Sequence, residues 1–280
     1  MVLTLTERPS SPPGSWTLVP HHGLGAWVDV YDWTEGLGGE DPAVGPDDIG
    51  AMADAGVQTV YVQTAHERTD DDVIEPNRLE DLIDRAHLEG LHVVAWYLPT
   101  FVDVERDLQR LVAASELRVD GLGVDIEAVT VADPVERNRR VLDLSRRLRA
   151  EVGAEKVLSA ITLSSVHVQV VNPAFWPGYP WAELGAIYDV IQPMAYWTIR
   201  RDDLRDGARY VGENLDRVRV SIGRDDVPVH PIGGIADTAT VADLEEMVAV
   251  IHDRNAIGGS LYDWATSTPE QWEALAPLRR

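Results

Sequence analysis

The sequence contains no cysteine, a single lysine (Lys156) and no long apolar run. The lack of cysteine excludes disulfides, thiolate metal sites and a cysteine nucleophile. Without an apolar stretch of about 18 residues, we expect no membrane-spanning helix. The first residues, MVLTLTERPSSPPGSW, lack a basic start followed by an apolar core, so we expect no secretory signal in this chain. The location of the protein stays open: it is intracellular as given, or secreted with its signal removed.

Basic residues are scarce relative to acidic ones. The chain has 24 lysines and arginines against 47 aspartates and glutamates, a formal net charge of −23. This charge disfavours a polyanion such as nucleic acid, or an anionic membrane, as a partner. No cluster of basic residues with intervening aromatics counters that expectation. The composition does not indicate the oligomeric state.

Strand-like and helix-like segments alternate eight times along the chain. The strand-like segments are AWVDVYDW (26–33), VQTVYVQT (57–64), LHVVAWYL (91–98), GLGVDIEA (121–128), KVLSAITL (156–163), YDVIQPMAYW (188–197), VPVHPIGG (227–234) and IGGSLYDW (257–264). They start about 33 residues apart on average, which is the usual length of a βα unit. Helix starts are marked by Asp133 before Pro134, and by a capping box that joins Thr268 and Gln271.

This alternation predicts a parallel sheet covered by helices. Eight units in about 250 residues match a single-domain (β/α)8 TIM barrel. The competing open, doubly wound sheet would carry a glycine-rich phosphate turn, and GLGGEDPAVG after the first strand does not fit G-x-G-x-x-G. We therefore predict a polar lead-in over residues 1–22 and a barrel over 23–280.

Two carboxylates lie near the end of the fourth strand-like segment. Because side chains alternate along a strand, Asp125 and Glu127 share a face with Gly123, and we expect them to point into the barrel mouth, where TIM-barrel active sites lie. Carboxylates roughly 7 Å apart along a strand resist joint ionisation, so one pKa is expected to rise. A carboxyl with a raised pKa suits general acid catalysis at neutral pH. The alternative is a structural pair bonded to backbone or arginine groups.

Other strand ends add candidates. Asp29, in VDVYDW, is expected to face inward with Tyr31 and Trp33, either to tune the acid pair, to hold a substrate hydroxyl, or to anchor the barrel floor. Tyr196 ends the sixth strand and can donate its hydroxyl to a substrate oxygen or a carboxylate. On the eighth strand, Asp263 and its neighbour Tyr262 lie on opposite faces, and the sequence does not indicate which one faces inward.

Aromatic side chains concentrate at these strand ends and in the loop NPAFWPGYPW. Aromatic rings beside carboxylates suit sugars, whose C–H faces stack on rings while their hydroxyls bond to polar groups. The candidate substrate-binding residues are Tyr31, Trp33, Gln63, Trp96, Tyr97, Trp176, Gln192, Trp197, Tyr262 and Trp264. The candidate catalytic residues are Asp29, Asp125, Glu127, Tyr196 and Asp263.

Other chemistries find less support. No H-x-H or HExxH motif occurs, and TLSSVH lacks the glycines of a nucleophile elbow. The glycine pair in PIGGIAD suits either a phosphate site or a tight turn, and the acidic mouth disfavours an anion. His66, after the second strand, is a candidate to bind or to shuttle protons. We expect no bound metal and no cofactor.

The strand ends resemble those of the family 18 glycoside hydrolases, the chitinase-like barrels. Their D-G-x-D-x-D-x-E motif is matched by DGLGVDIE (120–127), their M-x-Y by Met194-Ala195-Tyr196, and their glycine pair on strand eight by Gly258-Gly259. The resemblance implies that Glu127 protonates the glycosidic oxygen. It also implies that Asp125 orients and stabilises an attacking N-acetyl group of the substrate, and that Tyr196 assists that group.

The chain departs from the family at three places. Gly123 replaces the middle aspartate of the motif, the S-x-G-G of strand three is absent, and the tryptophan position of strand eight falls on Asp263. More loosely, the chain resembles the family 25 lysozyme-like barrels, in which Asp29 would join the site. It also resembles uncharacterised glycosidase-like barrels of actinobacteria.

Three functions are open at this point. The first is hydrolysis of a polysaccharide or glycan, including one that contains N-acetylhexosamine. The second is carbohydrate binding without catalysis, which the departure at Gly123 favours. The third is a metal-dependent lyase or aldolase that uses Asp29, Asp125, Glu127 and Asp263 around Mg²⁺ or Mn²⁺. A carbohydrate is the expected partner in the first two.

Overall fold

A computed structural model describes residues 17–280, in which eight parallel strands close into one barrel in chain order. This confirms the predicted (β/α)8 TIM barrel. The strands are β1 (Gly23–Val28), β2 (Thr59–Gln63), β3 (His92–Tyr97), β4 (Gly121–Ile126), β5 (Val157–Thr162), β6 (Val190–Ala195), β7 (Ile232–Ile235) and β8 (Gly258–Tyr262). Residues 1–16 of the expected lead-in lie outside the described residues, and its boundary with the barrel stays a prediction.

Helices cover the outside of the barrel. They are α1 (Val30–Trp33), α2 (Glu35–Gly38), α3 (Pro46–Asp54), α4 (Pro76–Leu88), α5 (Val104–Glu116), α6 (Pro134–Val152), α7 (Trp181–Ile187), α8 (Gly207–Ile222), α9 (Val241–Asp253) and α10 (Pro269–Leu275). The predicted caps form: the side chain of Asp133 accepts from the N–H of Val135, and Thr268 forms a capping box with Gln271. Within residues 17–280, no helix is long and apolar enough to cross a membrane.

The middle of the barrel is filled by aromatic rings. Trp27 stacks on Tyr61 with ring centroids 4.3 Å apart and meets the edge of Trp96 at 5.6 Å. The indole N–H of Trp27 donates to the hydroxyl of Ser260 at 2.8 Å, which links the inward side chains of the neighbouring strands β1 and β8. A packed centre of this kind is expected of an eight-stranded barrel. It closes the interior below the mouth and gives the mouth a rigid base.

The end of the first strand differs from the prediction. β1 stops at Val28, because the carboxylate of Asp29 accepts the N–H of Tyr31 at 2.7 Å and the carboxylate of Asp32 accepts the N–H of Asp29 at 2.9 Å. This reciprocal capping box starts α1. Tyr31 and Trp33 therefore do not continue the inward face of a strand, and the prediction that they share that face with Asp29 is wrong.

Buried histidines lie below the aromatic layer. His21 and Tyr61 share a hydrogen bond of 3.2 Å, and Nδ1 of His230 donates to the carbonyl oxygen of His21 at 2.8 Å. Both histidines are fully buried. Burial lowers the pKa of His21 well below its usual value and that of His230 to about 4. Both rings are therefore neutral in the folded protein at neutral pH.

We expect the contribution of His230 to the stability of the protein to be lost as the pH drops from 6.5 towards 4. The unfolded chain binds protons on His230 in that window and the folded chain does not, which amounts to roughly 3 kcal/mol at about 1.4 kcal/mol per unit of pKa. His230→Gln removes this contribution. Urea unfolding at pH 7 and pH 4 should show a smaller loss for this variant than for the wild type or for His252→Gln, a change at an exposed histidine. Equal losses in all three proteins would contradict the expectation.

Candidate active site

A cleft of about 270 Å³ opens at the carboxyl ends of the strands. Because all eight strands are parallel, their carboxyl ends meet at this face of the barrel, and inward-pointing side chains from opposite strands come together there. Eight of the predicted site residues line the cleft: Asp29, Tyr31, Gln63, Trp96, Asp125, Glu127, Tyr196 and Tyr262. The side chains that line it include no lysine and no arginine. The cleft is therefore acidic and partly aromatic, as the sequence predicts.

The acid pair lines the cleft: Asp125 lies on β4, and Glu127 follows directly after the end of that strand. Asp125 is 5% exposed, and its Oδ1 accepts no hydrogen bond from any described residue. Burial, reinforced by the charge of Glu127, raises the pKa of Asp125 well above its usual value. Glu127 is half-buried, and burial raises its pKa too. Neither carboxylate forms an ion pair within residues 17–280, which disfavours the structural-pair alternative.

Two tyrosines, Tyr196 and Tyr262, line the cleft together with Asp125 and Glu127. The rings of Tyr196 and Tyr262 lie 6.0 Å apart, and the hydroxyl of Tyr262 donates to Oδ2 of Asp29 at 2.8 Å. Burial, with the charges of Glu127 and Asp125, raises the pKa of Tyr196 well above its usual value, so its hydroxyl keeps its proton and can donate. At the end of β8, Tyr262 and not Asp263 lines the cleft, which the sequence alone does not indicate.

Three further carboxylates meet on the β1–β8 side of the mouth. The side chains of Asp29, Asp32 and Asp263 each offer an oxygen, and these oxygens lie within 4.8 Å of one another. Burial, followed by the charge of Asp29, raises the pKa of Asp32 to about 7. Asp263 is anchored because its Oδ1 accepts from the N–H and the hydroxyl of Thr266, both at 2.9 Å. Asp32 is absent from the predicted site, although its spacing from Asp29 is that of a capping box.

This arrangement bears on the metal hypothesis. The predicted set joined Asp29 and Asp263 to Asp125 and Glu127. Among residues 17–280, the only group of possible metal ligands is Asp29, Asp32 and Asp263, and the pair on β4 is not part of it. The four predicted acids therefore do not converge on one point.

Several predicted aromatic residues lie away from the cleft because they pack between the barrel and its helices. Trp33 is fully buried and its indole N–H donates to the carbonyl oxygen of Gln63 at 3.0 Å. The hydroxyl of Tyr97 donates to Asp107 at 2.8 Å on the outside of the barrel. The indole of Trp176 donates to the side chain of Asn138 at 2.7 Å. These contacts correct the prediction that the three residues line the substrate site.

The remaining predicted residues are also displaced from the cleft. Trp197 is fully buried against the glycines of β7, and Trp264 packs on Trp272 with ring centroids 5.1 Å apart. Gln192 points into the barrel but is fully buried, one inward position below Met194. Burial of a hydrophobic ring against a neighbouring helix gives the same sequence pattern as exposure at a strand end, so the pattern alone does not separate the two.

The cleft also contains side chains outside the predicted list. His66 follows β2, and its Nε2 lies 3.2 Å from the hydroxyl of Tyr31 at the rim. Leu98 and Met194 add apolar surface. Behind the cleft, the hydroxyl of Tyr179 donates to the carbonyl oxygen of Ile126 at 2.8 Å, so it holds the backbone between the two acids. The position of His66 directly after a strand indicates in the sequence that it lies near the site. No residue pattern around Tyr179 indicates its contact with Ile126.

The space at Gly123 is closed. A Cβ atom placed there would lie 3.0 Å from Cδ1 of Ile161, 3.2 Å from Cβ of Trp96 and 3.3 Å from the hydroxyl of Ser159. Neighbouring side chains thus occupy the room that the middle aspartate of the family motif would need. Side chains of the two adjacent strands, β3 and β5, therefore fill the space beside Gly123.

We expect Gly123→Ala and Gly123→Asp to destabilise the fold, the aspartate more than the alanine. Overpacking at a closed site costs about 1–3 kcal/mol, and a buried charge adds to it. Urea unfolding measures the change. Gly36→Ala is the matched control, because a Cβ there meets only a side-chain oxygen of Glu75 at 3.4 Å. A Gly123→Asp protein as stable as the wild type would show that the site can open.

Comparison of the sequence with protein-family models gives no match, and neither does comparison with curated proteins. Solved structures do match. The chain is similar to a chitinase from Chromobacterium violaceum ATCC 12472 (15% identity, 92% of this chain and 99% of that one, TM-score 0.61). It is also similar to the PgaB (BpsB) glycoside hydrolase domain from Bordetella bronchiseptica (16%, 92% and 99%, TM-score 0.64).

A third similar structure is the spore cortex-lytic enzyme SleL from Bacillus cereus (9% identity, 92% of this chain and 74% of that one, TM-score 0.68). At these identities the likeness is one of fold. The barrel of this chain is therefore of the kind found in chitinases and other glycoside hydrolases, in agreement with the resemblance at its strand ends.

Proposed function

We propose that this protein is a glycoside hydrolase that cleaves a polysaccharide or glycan, with Glu127 as the general acid. The observation that carries the proposal is the Asp125–Glu127 pair, which lies in an aromatic, acidic cleft whose lining, within residues 17–280, includes no lysine or arginine. The raised pKa values keep a proton on the pair at a pH where exposed carboxyls have lost theirs. Glu127 is the more accessible of the two, so it is the one placed to meet a substrate.

The proposed reaction begins with proton transfer from Glu127 to the glycosidic oxygen. The bond between that oxygen and the anomeric carbon breaks, and its electron pair leaves with the oxygen. In a substrate with an N-acetyl group, the carbonyl oxygen of that group bonds to the anomeric carbon from the other face, and Asp125 accepts the N–H of the same group. Water then gives a proton to Glu127 and bonds to the anomeric carbon, while the bond between that carbon and the acetyl oxygen breaks and the N-acetyl group is restored.

The surroundings of the pair suit a sugar ring. Trp96 and Tyr31 offer ring surface, and Tyr196 offers a hydroxyl that can donate to a substrate oxygen. The similar structures include a chitinase and a glycoside hydrolase domain, which supports a carbohydrate substrate for this chain as well.

Incubation of the purified protein with a panel of glycans tests the proposal. The panel contains chito-oligosaccharides, β-1,6-linked poly-N-acetylglucosamine, peptidoglycan and β-mannan, and new reducing ends are measured. We expect release from at least one glycan that contains N-acetylhexosamine. No release from any of them would refute hydrolysis.

Carbohydrate binding without catalysis is the second candidate, and the closed space at Gly123 favours it. The middle carboxylate of the family motif is absent there, and no residue within 17–280 forms a hydrogen bond with Oδ1 of Asp125 in its place. Calorimetry on the same panel separates the two functions. Binding that persists without any release, and that is unchanged in Glu127→Gln, would support the second candidate over the first.

A further inference from the structure

His66 and Tyr31 meet at the rim of the cleft, and the proposed reaction gives no role to His66. Nε2 of His66 lies 3.2 Å from the hydroxyl oxygen of Tyr31, and both side chains line the cleft. We infer that Tyr31 forms a sugar-binding subsite at the rim, where its hydroxyl donates to a sugar oxygen, and that His66 is the positioning residue that directs this hydroxyl. The inference rests on the proposed function, because it concerns a carbohydrate in the same cleft.

The backbone next to His66 fixes the direction of the hydrogen bond to Tyr31. Nδ1 of His66 accepts the backbone N–H of Arg68 at 3.1 Å. A backbone N–H only donates, so Nδ1 carries no proton, and the single proton of a neutral ring is then on Nε2. Nε2 therefore donates to the hydroxyl oxygen of Tyr31. No residue within 17–280 accepts the proton of that hydroxyl, which leaves it for a sugar oxygen.

The ring of His66 is neutral at pH 7. Burial, followed by the charge of Arg68, lowers the pKa of His66 below its usual value. Arg110 acts in the same direction, while Glu67 and Asp29 act against it. A protonated ring would carry a second N–H at Nδ1, opposite the N–H of Arg68. The bond at Nδ1 and the charges around the ring therefore agree on the same protonation state.

The turn that carries His66 is anchored to the barrel. The carbonyl oxygen of His66 accepts the N–H of Thr69 at 3.3 Å and its hydroxyl at 3.2 Å. The carbonyl oxygen of Thr69 in turn accepts from the guanidinium of Arg110, a buried residue of α5. Arg110 also donates to the hydroxyl of Tyr97 at 2.7 Å. These contacts give the ring of His66 a defined place beside Tyr31.

Tyr31 is held at both ends and still presents a ring to the cleft. Its backbone N–H donates to Asp29 at 2.7 Å, and its ring meets that of His66 edge to face, with centroids 5.6 Å apart. The side chain is nevertheless 43% exposed. An exposed aromatic ring of fixed orientation suits the C–H face of a sugar, and its hydroxyl can then donate to an oxygen of that sugar or of the next one.

The rim lies apart from the acid that would break the glycosidic bond. Tyr196, whose pKa is raised in part by the charge of Glu127, is followed across the cleft by Tyr262, with ring centroids 6.0 Å apart. Tyr262 donates to Asp29, which accepts from Tyr31. Tyr31 therefore contacts another part of the glycan than Glu127 does. Changes at the rim should alter affinity and KM more than kcat.

Two substitutions of His66 separate the roles of its two ring nitrogens. His66→Asn places an oxygen near the position of Nδ1, where it can accept the N–H of Arg68, but its short side chain does not reach Tyr31. His66→Gln places an amide N–H near the position of Nε2, where it can donate to Tyr31. Tyr31→Phe keeps the ring and removes the hydroxyl. His252→Asn, at an exposed position of α9, is the matched control.

Calorimetry with N-acetylated chitotetraose and with β-1,4-mannotetraose measures the affinity of each protein. For at least one probe, we expect Kd to rise about fivefold in Tyr31→Phe and in His66→Asn, the usual effect of one neutral hydrogen bond. His66→Gln and His252→Asn should bind as the wild type does. On a glycan that is hydrolysed, KM should rise by the same factor and kcat should change less. Nitrogen NMR of the histidine rings in the free protein should show the proton of His66 on Nε2.

Several results would overturn the inference. If His66 only supports the turn, the order is reversed, and His66→Asn binds normally while His66→Gln binds weakly. Equal affinities in all variants, no binding of either probe, or a proton on Nδ1 of His66 would also reject it. The proposed function fails separately: binding in the expected order without any hydrolysis leaves the rim subsite in place. Hydrolysis that depends on Glu127, with unchanged KM in Tyr31→Phe and His66→Asn, would reject the subsite alone.

Discussion

Glu127→Gln is expected to lower kcat on any glycan that the protein hydrolyses by about 10²–10⁴-fold, the usual contribution of a positioned general acid. Glutamine has nearly the shape of glutamic acid but gives up no proton, so substrate binding should persist. In the wild type, activity should fall as the pH rises past the raised pKa of Glu127, because the acid must be protonated to donate. Initial rates and calorimetry across pH 4–9 measure both effects.

The matched control for this change is Glu116→Gln. Glu116 is exposed at the last position of α5, far from the strand ends that form the cleft, and it loses the same charge. Its kcat and pH profile should equal those of the wild type. Full turnover in Glu127→Gln would remove Glu127 from the role of acid, and loss of binding together with turnover would indicate a change in structure.

Asp125→Asn is expected to abolish most turnover and to stabilise the fold by about 1–3 kcal/mol at pH 7, because it removes a buried carboxyl without a donor. The pKa of Asp125 is raised in the folded protein, so above pH 4 the folded chain binds more protons than the unfolded chain. The contribution of Asp125 to the stability of the wild type therefore becomes more unfavourable as the pH rises through this window. The difference in the free energy of unfolding between Asp125→Asn and the wild type should be small at pH 4 and larger at pH 7.

Urea unfolding and rate measurements on one preparation test both parts of this prediction. Asp54→Asn, at an exposed position, should change neither the stability nor the rate. A variant that loses activity and stability together would mean that Asp125 supports the fold through a partner. A gain in stability with a loss of activity would mean that this acid is retained for function, since active-site groups are commonly kept at the expense of stability.

The barrel and the acid pair follow from simple periodicities. Six of the eight strands lie within their predicted segments, whereas β1 begins three residues before its segment and β7 extends one residue beyond its own. The two-residue alternation places Asp125 on the inward face of β4 because that strand is regular along its whole length, and Glu127, one residue past its end, reaches the same cleft. β7 is shorter than its predicted segment, with one isolated bridge at Val229, because Pro228 and Pro231 bring no N–H to the sheet.

The sequence misleads where a local hydrogen bond overrides a pattern. The run VDVYDW has strand-like composition, yet the capping box between Asp29 and Asp32 turns it into a helix and removes Tyr31 and Trp33 from the strand face. The three-residue spacing of those two aspartates is the sequence signal of a capping box. The burial of Tyr97 and Trp176 has no such local signal, because it depends on partners in two distant helices, Asp107 in α5 and Asn138 in α6.

The bond from Tyr179 to the carbonyl oxygen of Ile126 has a consequence for how this protein can change. The loops of a TIM barrel usually vary independently of one another, and this freedom lets one scaffold acquire many specificities. Here the loop after β5 supports the backbone that carries Asp125 and Glu127. Grafting another loop at this position would shift the acid along with the binding surface. Specificity and turnover are therefore coupled on this side of the barrel, and a designer who wants new substrates has more freedom at the rim that holds Tyr31 and His66.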